Sequence, residues 1–124
     1  MFATEKTHRI AYLNDLARRE PAAANCQWII TPGVAALLAG EEVSQVTPSL
    51  VRLRALCTAL AGVSVFPKSS GSYRERDFGT FDCLGERLWF KIDYWHPDHD
   101  AYAPDPANVE LCRRVMTLML EQEY

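Results

Sequence analysis

The chain has 124 residues, 48% of them hydrophobic and 23% charged, with a formal net charge of −3. That length fits one domain, 1–124, able to bury a core, and the composition excludes wholesale disorder. The acidic balance weighs against a general nucleic-acid binder, and no apolar run approaches the roughly 20 residues that span a bilayer.

The first stretch, MFATEKTHRIAYLNDLARR, carries charges throughout and has no signal-like apolar segment, so a cytoplasmic setting is expected. Its periodicity predicts a helix over Glu5 to Arg19, with Ile10, Leu13 and Leu16 or Ala17 on the apolar face and Arg9, Asn14 and Arg18 on others. Pro21 stops that helix. Cys26 to Thr31 is short, aromatic and β-branched, and predicts a buried strand. Thr31-Pro32, Thr47-Pro48 and Asp105-Pro106 each place a capping side chain before a proline, which predicts helix starts at Pro32, Pro48 and Pro106. The first of these helices ends at Ala39 before Gly40. The second runs to Ala61 with Leu50, Leu53, Leu56, Cys57 and Leu60 on its apolar face. Val63 to Phe66 reads as a further short strand, and Pro67 to Ser72 as a loop.

Tyr73 to Trp95 organises the rest. Asp77–Cys83 and Arg87–Trp95 read as the strands of a hairpin turning at Leu84-Gly85-Glu86. In the second strand Leu88, Phe90, Ile92 and Tyr94 share one face, and Trp89, Lys91, Asp93 and Trp95 share the other. His96 to Pro104 is polar and proline-bounded, hence irregular. From Pro106 to about Glu123, Val109, Cys112, Val115, Met116, Met119 and Leu120, with Leu111 and Leu118, predict a wide-faced, buried C-terminal helix. The expected fold class is therefore α+β: a small, mainly antiparallel sheet built around the hairpin and packed by helices. The four cysteines, Cys26, Cys57, Cys83 and Cys112, have no CxxC spacing and read as buried free thiols.

The ordered elements RERDFG, WFKIDYW, Asp105-Pro106 and RVMTLMLEQEY resemble a family of small bacterial proteins known as domain of unknown function 3768. Glu75, Asp77, Phe78 and Gly79 match its GEHDFG-like element, and Lys91 to Tyr94 match its W-K-I-D-Y-Y segment. Arg114, Val115, Thr117, Met119, Leu120, Glu123 and Tyr124 match its closing motif, while Asn14-Asp15 with Arg18, and Thr31 with Gly33-Val34, fit upstream. Arg76 stands where that family usually has His, and Trp95 where it has a second Tyr. A role for that His as base or ligand would be lost here, since arginine accepts no proton at neutral pH. The resemblance implies no established activity; it implies a bacterial accessory or inhibitory function associated with mobile DNA.

Candidate chemistry concentrates on the hairpin. Arg74, Glu75, Arg76, Lys91 and Asp93, with Trp89 and Trp95, form the expected binding surface. Lys91 and Asp93 would lie about 7 Å apart along one strand face. Convergence of Glu75, Asp77, Lys91 and Asp93 in a pocket would make a small hydrolase or transferase, whereas a cross-strand ion-pair ladder accounts for the same charges without one. His96, Asp98, His99 and Asp100 offer metal-ligand chemistry, but their spacing matches no metal signature and a solvated loop explains them. The Asp77-Phe78-Gly79 triplet lacks every other kinase element. Tyr73, Arg74, Arg76, Trp89, Lys91 and Trp95 could hold single-stranded nucleic acid, a reading opposed by Glu75, Asp77 and Asp93 around them. The leading expectation is a non-enzymatic module with a protein partner and no cofactor; an enzyme ranks second and a nucleic-acid binder third.

Overall fold

A computed structural model describes residues 4–40, 49–68 and 73–124. Three α-helices pack on one face of a four-stranded mixed sheet, so the chain has an α+β fold. Helix α1 (Glu5–Arg19) is capped by the Thr4 hydroxyl, which accepts from the Thr7 N–H at 3.1 Å, and it stops before Pro21. A short 3₁₀ turn and Asn25, at φ 51°, lead into strand β1 (Cys26–Ile30). Thr31 caps helix α2 (Pro32–Ala39) with proline in its first turn, as the Thr-Pro grammar predicts. Helix α3 is described over Leu50–Ala61; its expected start at Thr47-Pro48 lies outside the described residues.

The hairpin has strands β2 (Phe78–Cys83) and β3 (Glu86–Trp95). Its turn is only two residues, Leu84 and Gly85, both with positive φ (52° and 82°), the hand that matches strand twist. The sheet order is β1-β4-β3-β2, where β4 is Arg113–Leu120. β2–β3 and β3–β4 are antiparallel, while β1–β4 is parallel, so the sheet is mixed.

The predicted C-terminal helix is therefore a central strand. Its wide apolar face comes from a strand apolar on both sides: Met116 and Leu118 face the helices, Val115 and Met119 the other side, and all four are buried. A continuous apolar run of this length cannot be assigned by periodicity alone. The Asp105-Pro106 signal makes a turn instead of a helix: Asp105 Oδ1 accepts from Ala107 N–H at 3.0 Å, and Val109–Leu111 forms only a 3₁₀ turn. Neighbouring strands hold the segment extended from Arg113, where an isolated helix would have left β1 and β3 unpaired on that edge.

Smaller differences have similar causes. Val63 to Phe66 forms no strand; Phe66 packs edge-on against Phe90 at 6.3 Å, while Val65 is 80% exposed. Residues 69–72 of the expected loop lie outside the described set. The buried stripe of α3 is narrower than predicted: Leu56 and Leu60 are buried, but Leu50 and Cys57 are exposed. Asn14 and Arg18, expected away from the core, are buried, because α1 presents Ile10, Asn14, Ala17 and Arg18 along the same side. All four cysteines are free; Cys83 and Cys112 are buried, Cys26 is half-buried, and burial pushes the Cys26 thiol up to about 11.

The core forms between the helices and the inner sheet face, from Ile10, Ala17, Val34, Leu38, Leu56 and Leu60 against Leu88, Phe90, Ile92, Met116 and Leu118. Among the described residues no helix covers the opposite face.

Candidate functional site

Strand alternation in β3 separates two chemistries. Trp89, Lys91, Asp93 and Trp95 face outward; Leu88, Phe90, Ile92 and Tyr94 face the helices. Register then builds the outer face: Lys91 lies between Phe78 and Thr117, Trp89 between Thr80 and Met119, Asp93 beside Val115, and Trp95 beside Arg113. Ile29 continues the Lys91 row on β1 by pairing with Thr117. Trp89 is walled by Phe78, edge-on at 5.2 Å, and by the tilted ring of Tyr124 at 4.1 Å. The indole N–H of Trp89 is buried without a partner among the described residues. Lys91 Nζ and Asp93 Oδ1 pair at 3.4 Å; half-exposed as they are, the pair contributes at most about 1 kcal/mol. Trp95 bridges to Tyr102, and these two with Asp93 and Tyr94 line a hollow of about 240 Å³.

Arg74, Glu75 and Arg76 do not join this face. They sit in a 3₁₀ turn and the residue after it, packed beside α1. Glu75 Oε1 accepts from the Tyr94 hydroxyl at 2.8 Å on the helix side of the sheet. Asp77 extends β2, its carbonyl accepting from Ile92 N–H at 2.7 Å. Glu75 and the Lys91–Asp93 pair thus act on opposite faces. His96 and His99 stack at 4.5 Å, His96 Nδ1 accepts from the Asp98 N–H at 3.0 Å, and Asp98, His99 and Asp100 are exposed. Among the described residues no three His, Cys, Asp or Glu side chains gather to hold a metal.

A buried polar network, absent from the sequence-derived candidates, lies beneath β3. Asn14 donates from Nδ2 to the Tyr94 hydroxyl at 2.8 Å and the Glu75 carbonyl at 2.9 Å. Its Oδ1 accepts from Arg114 Nε at 2.8 Å, and Arg114 Nη2 donates to the Pro106 carbonyl at 2.6 Å. The Arg114 guanidinium also lies 5.2 Å from the centre of the Tyr94 ring. Burial raises the Tyr94 hydroxyl well above the ordinary tyrosine value, so it stays protonated and keeps donating. The available signal was positional: Asn14 and Arg18 fall four and eight residues after buried Ile10, on its helical face.

Next to it, Asp15 joins two arginines. Arg76 grips it with Nε at 2.9 Å and Nη2 at 2.5 Å, and Arg18 Nη2 donates at 2.7 Å. Arg76 therefore grips the carboxylate with a two-donor fork. Burial raises the Asp15 carboxyl, but hydrogen bonds from Arg76 and Arg18 outweigh it and hold the group below its ordinary 3.8. A carboxyl depressed in the folded state contributes stability that is complete above the unfolded value and lost as pH falls through the folded one. Asp15→Asn is expected to cost about 1–2 kcal/mol near neutrality. That deficit should shrink only below pH 3.8. Urea unfolding of both proteins at stepwise pH checks this, and a deficit unchanged through strong acid would refute the ion-pair account.

A family model described as "Protein of unknown function (DUF3768)" matches residues 30–123. No curated protein and no solved structure matches the chain.

Proposed function

We propose that this chain, which belongs to the DUF3768 family, is a non-enzymatic protein-interaction module that docks its partner on the outer face of the sheet. The observation that carries this reading is the one-sided fold: the described helices all pack on one face, and the other bears Trp89, Phe78, Ile29, Trp95 and Tyr124 with the Lys91–Asp93 and Arg87–Asp82 pairs. Ile29, Trp95 and Tyr124 are 46%, 37% and 70% exposed. Aromatic anchors are enriched at interface centres, and mixed-sign pairs set orientation. Opposed charges at Lys91–Asp93 and at Arg87–Asp82 give no basic track for a nucleic-acid backbone. Glu75 lies across the sheet from Lys91 and Asp93, which weighs against the enzyme reading built on those groups. The finer setting, a bacterial cytoplasm and an accessory or inhibitory role in mobile DNA, rests on the family resemblance and the free cysteines.

The test is capture from a bacterial host with native chain, Trp95→Ala, Lys91→Glu and, as a remote control, Arg54→Glu. A partner retained by native chain and control, but bound about tenfold or more weakly by both face variants at unchanged melting temperature, is the expected result. Capture that the face variants leave intact would overturn the reading. Sedimentation of the native chain alone reports whether a second copy occupies the face instead, which would also overturn a separate partner.

A further inference from the structure

A second site lies on the helix side, distinct from the proposed docking face. A cavity of about 430 Å³ opens between the start of α1, the segment after α3 and the turn before β2. Its lining includes His8, Lys68, Arg74 and Arg76, with Val65 and Phe66 as an apolar wall. None of the described lining residues is acidic. That is unexpected in a chain whose net charge is −3. Cations of one sign gathered in a concavity focus a positive potential there. Arg76 is fixed, since its backbone sits at φ 55° and its Nε and Nη2 are held by Asp15. Nη1 takes no part in that fork. Behind the apolar wall, the buried Arg18 guanidinium lies 5.0 Å from the Phe66 ring centre and shares Asp15 with Arg76. Two guanidiniums thus share one carboxylate, leaving a net positive charge in the Arg18–Asp15–Arg76 cluster beside the cavity.

From this cavity we infer a binding site for a small phosphate monoester, its phosphate held by Lys68, Arg74 and Arg76 and its less polar portion laid against Val65 and Phe66. Planar guanidiniums suit phosphate oxygens, and an ammonium adds a point charge. The volume falls within the range of about 300–1,000 Å³ typical of small-ligand sites, larger than a bare phosphate needs.

Isothermal titration of the full chain at low ionic strength, with adenosine monophosphate, inorganic phosphate and adenosine as probes, tests this. Adenosine monophosphate should saturate a single site, more tightly than either inorganic phosphate or adenosine, and weaken as salt is raised. Lys68→Glu and Arg74→Glu, both at exposed positions, should each weaken it about tenfold or more. Arg87→Glu on the hairpin should leave it unchanged. No saturable binding, equal affinity for adenosine or for inorganic phosphate, or indifference to the Lys68 and Arg74 substitutions would overturn the assignment. Circular dichroism of the variants separates loss of the site from loss of the fold.

Discussion

Replacing Asn14 with leucine is expected to destabilise the fold by on the order of 5 kcal/mol, a large part of the roughly 5–15 kcal/mol that holds a domain together. Asn14 is fully buried and serves three partners at once: the Tyr94 hydroxyl, the Glu75 carbonyl and Arg114 Nε. The Arg114 term dominates. That guanidinium is also fully buried and is satisfied by the Asn14 side-chain oxygen, the Pro106 carbonyl and the face of the Tyr94 ring. Its Nη1 already has no partner among the described residues, so little slack remains. Leucine shares the branched shape of asparagine though it is bulkier, and it removes one of two hydrogen-bonded acceptors from a buried cation; an uncompensated buried charge costs about 3–5 kcal/mol. The two hydrogen bonds donated by Asn14 add about 1 kcal/mol each. Adding Arg114→Met to Asn14→Leu should recover part of the loss, because the charge that needed solvating is gone. Urea unfolding of the two single variants and the double closes the cycle. A cost under about 1.5 kcal/mol for Asn14→Leu, or a double variant as weak as the sum of the singles, would mean that water or rearrangement replaces the amide.

This network also marks where sequence reasoning stopped. Periodicity locates α1 and the hairpin because each has one apolar and one polar side, with β1 and α2 read instead from β-branched composition and the Thr-Pro cap, and it places Trp89, Lys91, Asp93 and Trp95 on a common face. It fails at β4, a strand buried on both sides, whose Val115, Met116, Leu118 and Met119 satisfy a helical pattern as readily as an extended one. It fails again at Asn14 and Arg18, where polarity predicts exposure and both side chains are buried. What makes them internal is the partners they meet: Glu75 stands 61 positions from Asn14 and Arg114 stands 100 away. No local pattern encodes that meeting. The two errors are connected, since Arg114 reaches Asn14 only because its segment is a strand beside β3. Thr31 and Glu123 make the same point at the other end of the sheet. The predicted cap is real, but Glu123 also accepts from the Thr31 hydroxyl at 2.6 Å and from Gly33 N–H at 3.0 Å, tying α2 to the end of β4.

The second large effect is expected at Gly79 and Phe90, which face each other across β2 and β3. Gly79 is buried, and a Cβ built on it would stand 2.7 Å from Phe90 Cε1 and 3.1 Å from Cζ. The Phe90 ring lies over the glycine, where a side chain would otherwise project. Phe66 meets that ring edge-on, and the Arg18 guanidinium lies 5.4 Å from its centre. The glycine thus answers to the aromatic ring and not to backbone strain, since its φ is not positive. Phe90 is fully buried, and Phe90→Ala should cost about 3–5 kcal/mol through lost burial and the cavity left behind. Gly79→Ala alone should cost about 1–3 kcal/mol, because the ring it strikes is wedged between Phe66 and Arg18 and cannot simply turn aside. In the Phe90→Ala background the sign should reverse. The new methyl then enters vacated space, and alanine loses less backbone freedom than glycine in a strand, so the substitution should be neutral or stabilising by up to about 1 kcal/mol. Equilibrium unfolding of the two singles and the double measures this coupling. An equal cost for Gly79→Ala in both backgrounds would show that something other than the Phe90 ring excludes a side chain at position 79.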